Sequence, residues 1–141
     1  MLQKKLRAFI EKLEKGGELL YPAAEFAKHH SRIALRAKAE VCANAIPKLR
    51  ALYEQLPCES ESEKLRDLAM YFFGEDMECS MNISYFSDEF ECFDQHGNGL
   101  EKLKCLMSIS EYEEKSTLYS WIAQELFEMD DTIEAEKHNV G

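Results

Sequence analysis

Leu2, Leu6, Phe9, Ile10 and Leu13 recur at steps of three and four residues with Lys and Glu between them, the spacing of one apolar helix face. Gly16-Gly17 is expected to end that helix. Pro22 suits the first turn of a second, where its missing N–H is not needed. The second helix is carried by Ala23, Phe26, Ala27, Ile33, Ala34, Ala37, Val41 and Ala45, with a break near His29-His30-Ser31. Pro47 ends or kinks it, and Leu49, Leu52, Tyr53 and Leu56 form a short third helix. Residues 57–63 are polar and without period, the expression of a linker. Ser62 is placed to cap a fourth helix holding Leu65, Leu68, Ala69, Phe72 and Phe73, closed by Gly74.

The pattern then changes. The runs 81–86 and 89–93 are short and aromatic, and 94–99 (DQHGNG) is dense in turn formers. Leu103, Cys105, Met107 and Ile109 alternate as one face of a strand does. These features predict a three-stranded antiparallel meander over 79–109, with Glu89 and Glu91 on one face and Phe90 and Cys92 on the other. A helix over 99–109 is the rival reading, since Leu103, Leu106 and Met107 also fit that period. Ser110 or Ser116 is expected to cap a last helix with Leu118, Trp121, Ile122, Leu126 and Met129 as its buried stripe, and the tail from Asp130 to fray. The expected fold class is α+β: N-terminal helices, a small meander and a closing C-terminal helix, with an all-helical bundle as the alternative.

At 141 residues the chain is long enough for one domain with a core of its own. Within it, 1–56 form a basic helical part, 64–130 an acidic part and 131–141 the tail. Lys and Arg number 11 against 6 Asp and Glu in 1–56, but 6 against 21 in 57–141. Such a distribution repels phosphate backbones and attracts basic proteins at rates that fall with salt, so a nucleic-acid partner is disfavoured. Lys28, Arg32, Arg36 and Lys38 cluster on the second helix, yet Glu25 and Glu40 interrupt them, and pairing with the acidic part explains them more simply. The apolar runs are too short to span a membrane, and charged Glu11, Lys12 and Glu14 interrupt the basic start before a signal peptide could form. Five cysteines without a close pair fit a reducing compartment, and the cytoplasm is the expected location.

Chemistry-bearing motifs are sparse. Phosphate-cradling, nucleophile-elbow and metalloprotease strings do not occur. Cys79, Cys92, His96 and Cys105 could be assembled into a zinc site only without the two tight pairs that such sites show. The 94–99 loop fails as a calcium loop because Cys105 stands where the bidentate Glu should be. No cofactor, metal or enzymatic activity is expected. The region 75–94 holds seven carboxylates and neither Lys nor Arg. Glu75, Asp76, Glu78, Tyr85, Asp88, Glu89, Glu91 and Asp94 are therefore the expected partner-binding residues. The function expected from them is that of a small acidic binding protein. Its concrete form is an immunity protein, or antitoxin, that occludes the basic substrate cleft of a bacterial toxin nuclease. A chaperone of the type III secretion kind is the alternative, and an uncharacterised enzyme using Cys92 and His96 a third.

Overall fold

The computed structural model describes the backbone of residues 2–26 and 29–140, and the side chains of residues 2–15 and 32–136. Its elements are α1 (Leu2–Phe26), α2 (His29–Glu54), α3 (Glu61–Gln95) and α4 (Gly99–Val140). Among the described residues there is no strand, so the expected meander over 79–109 is corrected to the end of α3, a turn at 96–98 and the start of α4. The all-helical alternative is the fold the chain adopts.

The chain direction follows from side-chain pairs. The Ser62 hydroxyl donates to Asp130 and the Ser116 hydroxyl to Asp76, so α3 and α4 run antiparallel. Gln3 donates to the Leu56 carbonyl at 2.7 Å, and Arg50 pairs with Glu14, which sets α1 antiparallel to α2. Asn44 meets Tyr119 while Glu40 meets Lys115, so α2 lies parallel to α4. Two helical hairpins result, α1–α2 and α3–α4, and they join chiefly along the α2–α4 contact. Leu6, Val41, Leu49, Leu65, Phe72, Ile122 and Leu126 fill the space between them. Each such side chain contributes about 1.5–3 kcal/mol on burial. Phe9 of α1 meets Trp121 of α4 edge-on at 5.2 Å, and the Lys12 ammonium lies 5.2 Å from the centre of the same ring.

Several expected helix boundaries are absent. Helix α1 continues through Gly16-Gly17 and Pro22, and α2 starts at His29, while Ala27 and Lys28 lie outside the described residues. Helix α2 also passes through Pro47, joining the expected second and third helices. Pro47 and Ala43 are both exposed, so the backbone bond that the proline removes lies on the outward side of the helix. Gly74 lies inside α3 rather than at its end. Ser60, not Ser62, stands at the N-cap of α3, and Glu61 and Glu63 complement the dipole of its first turn. Ser62 is instead buried, with its hydroxyl on Asp130. Asp130 and Ile133 are buried too, so the helix keeps its packing beyond the point where fraying was expected.

The turn at 96–98 is real but connects helices. Asn98 N–H donates to the Phe93 carbonyl and Gly97 N–H to the Asp94 carbonyl, the two bonds of a Schellman end. Gly97 takes the required positive φ of 71°. Asn98 then caps the next helix: its side-chain oxygen accepts from Glu101 N–H at 3.2 Å. The same glycine and asparagine that resemble a hairpin turn thus stop α3 and start α4 within three residues.

Candidate protein-interaction face on α3

Successive residues of a helix turn by about 100°, so the helical state of 75–95 redistributes every residue assigned to a strand face. Leu65, Ala69, Phe72 and Cys79 point into the core, and Asp76 follows the same line with its carboxylate on Ser116. Phe86 continues that line, stacking on Tyr112 of α4 with ring centres 6.0 Å apart. Glu89 and Glu91, two residues apart, diverge widely rather than sharing a face.

The expected partner-binding residues consequently separate into two groups. Asp76 is half-buried against Ser116, and Asp94 pairs with Lys102 of α4. Glu75 is half-buried near Tyr119 and Cys79, and Glu89 is half-buried near Cys105. Glu78, Tyr85, Asp88 and Glu91 stand exposed. Tyr85 is steadied by an edge contact with Phe86 at 5.1 Å. Spread along an exposed helix, like charges three residues apart cost only a few tenths of a kcal/mol. That is far below the roughly 3 kcal/mol that two charges ~6 Å apart would cost at an effective dielectric of ~20.

A second set of residues appears that periodicity alone did not mark. Met70, Phe73, Met77, Met81 and Tyr85 are 57%, 44%, 56%, 73% and 57% exposed. Their steps of three, four, four and four residues keep them on one side of α3, away from its core line. From Met70 to Tyr85 the stripe is about 22 Å long at 1.5 Å per residue. Asp88 continues its line one turn beyond, with Glu78 and Glu91 on opposite flanks. Neither Lys nor Arg occurs in the sequence between Arg66 and Lys102. The signal for the stripe was present as a helical repeat, but it crosses Gly74, where a helix end was expected.

The thiols and the histidine do not converge. Cys79 and Cys105 are buried, Cys92 is exposed, and His96 Nδ1 lies 2.8 Å from the Cys92 carbonyl. The strand face that Cys92 was expected to share with Phe90 is thereby corrected, since a helix carries Cys92 outward. Among the described residues no group of three or more His, Cys, Asp or Glu could hold a metal ion. Burial raises the Cys42 thiol above its ordinary range; burial also raises Cys79, with Glu75, Asp76 and Glu78 adding to the shift and Lys115 opposing it. On α2, Lys38 lies 4.0 Å from Glu114 of α4, so part of the basic helix does face acidic residues of the second hairpin.

No described helix is long and apolar enough to cross a membrane. No protein-family model, curated protein or solved structure matches the chain.

Proposed function

We propose that the chain is a small acidic binding protein that covers a basic surface of a protein partner. One observation carries this reading. Beyond Arg66, exposed carboxylates and exposed large apolar side chains share a stretch of α3 that has neither Lys nor Arg. Carboxylates of this kind speed the encounter with a basic partner, while buried aromatic and thioether contacts hold the complex.

The finer form of the proposal is an immunity-type inhibitor acting in the cytoplasm on a toxin nuclease. A nuclease cleft must hold phosphate with Lys and Arg, so it presents the complement of this surface. The exposed Met and Phe side chains favour a second form, a chaperone that shields an apolar segment of a secreted protein.

The test begins with a partner captured from the native host and continues with association kinetics. Asp88→Ser, Glu89→Gln and Glu91→Gln are combined in one variant. The wild-type association rate constant should fall with ionic strength, and the variant should associate more slowly with a flatter salt dependence. Unaltered kinetics at low salt would overturn the proposal. A captured partner with a nuclease cleft supports the first form, and a secreted protein with an exposed apolar segment supports the second.

A further inference from the structure

We infer that the stripe Met70–Phe73–Met77–Met81–Tyr85 receives a basic amphipathic helix of the partner, laid along α3. The inference rests on the reading above and names the element that would be bound. A stripe of about 22 Å presents four turns, the length of a partner helix of about 15 residues at 1.5 Å per residue. Side chains at three- and four-residue steps form the ridges between which the side chains of a second helix seat, with axes about 8–10 Å apart. Three of the five are methionines, whose unbranched thioethers reshape to fit an incoming apolar face.

Charge selects the occupant. Glu78, Asp88 and Glu91 border or extend the stripe, and no Lys or Arg follows on α3 after Arg66. An incoming helix with Leu or Ile toward the stripe and Lys or Arg on its flanks would find Glu78 beside the stripe and Asp88 and Glu91 just beyond its Tyr85 end. A second copy would bring a second set of carboxylates to the same edges, on a chain of net charge −10. An anionic membrane surface is repelled for the same reason. Helix-on-helix recognition of the coiled-coil kind reads such a line through anchors at three- and four-residue steps.

The probe is a synthetic amphipathic helix of about 16 residues made only of Leu and Lys, matched to the stripe length. Its counterpart carries Glu in place of Lys. Each is titrated into the full chain by fluorescence anisotropy, with the methionine methyl signals followed by NMR. The Leu/Lys helix should bind and shift the methyls of Met70, Met77 and Met81 while leaving buried Met129 unmoved. The Leu/Glu helix should not bind. Met77→Gln combined with Met81→Gln should weaken binding at least tenfold with an unchanged thermal midpoint, because both side chains are exposed.

Binding that ignores the methionine substitutions but disappears when Asp88, Glu89 and Glu91 are neutralised would overturn this inference and leave the basic-partner reading standing. No binding of the Leu/Lys helix, together with a captured partner that associates independently of salt, would remove both. Concentration-dependent dimers that Met77→Gln and Met81→Gln abolish would assign the stripe to a second copy and overturn the inference.

Discussion

Lys115 of α4 reaches the Glu40 carboxylate of α2 at 2.7 Å and holds Glu111, one turn back on its own helix, at 3.2 Å. One turn further along each helix, the Asn44 amide donates to the Tyr119 hydroxyl at 3.0 Å. Two polar rungs thus join the hairpins where α2 meets α4, and they fix the register of one on the other. Burial alone would lower the Lys115 pKa, but the hydrogen bonds to Glu40 and Glu111 outweigh it and raise the group above the ordinary lysine range. Burial raises Tyr119 as well, against the opposing effect of its bond with Asn44.

Alkaline pH should therefore weaken the fold in two stages. Cys42, Cys79, Tyr119 and Lys115 all hold their protons more tightly folded than unfolded. Their contribution is complete below the unfolded pKa values, roughly 8.5 for thiols and 10–10.4 for Tyr and Lys. It is lost as pH rises through the higher folded values. Urea midpoints should begin to fall above about pH 8.5, and a Cys42→Ala, Cys79→Ala variant should make the early part of that fall shallower, with Cys105, whose thiol burial also raises, still contributing. Lys115→Met should reduce the later part of the fall. A midpoint constant from pH 8 to 11 would contradict the burial of these groups.

Gly74 sits exposed in the interior of α3, and a Cβ built there would meet nothing within 4 Å. Gly74→Ala should raise stability by about 0.5–1 kcal/mol, since alanine loses less backbone entropy in a helix. Chemical denaturation measures the change. Destabilisation would mean that the chain bends or breaks at this residue.

Fast thiol labelling should separate the cysteines. Cys92 is exposed on α3, whereas Cys42, Cys79 and Cys105 are buried. Under native conditions Cys92 should react first, and Cys42 and Cys79 only on the timescale of opening. Peptide mapping after a short pulse of reagent provides the measurement. Protection of Cys92 equal to that of Cys79 would contradict its outward placement.

The ends of the chain were legible because their apolar residues occupy a single stripe each. Leu2, Leu6, Phe9, Ile10 and Leu13 are all buried, and so are Ile122, Leu126 and Met129, with Leu118 and Trp121 packed against them. The middle was not, because α3 carries two apolar lines at once. Phe72 and Cys79 face the core while Phe73, Met77 and Met81 face outward, which blurs the amphipathic period. On α4 the alternation of Leu103, Cys105, Met107 and Ile109 is accidental: Cys105 is buried and Leu103 is exposed. Glycine and proline misled for a related reason. Helix-to-helix packing sustains α2 across Pro47, a position at which local propensity alone favours a break. The acidic character of the candidate face could be read from composition, but which carboxylates remain outward depended on the helical state of 75–95.

Everything proposed for α3 depends on Met70 and Tyr85 lying on one uninterrupted helix, and backbone Cα chemical shifts over residues 65–95 test this most directly. The expected result is a continuous run of helical shifts from Leu65 to Gln95, unbroken at Gly74 and through Met81–Phe93, ending at Gly97. Extended-strand shifts across 81–93, or coil shifts at Gly74, would dismantle the stripe and with it the proposed helix-binding face.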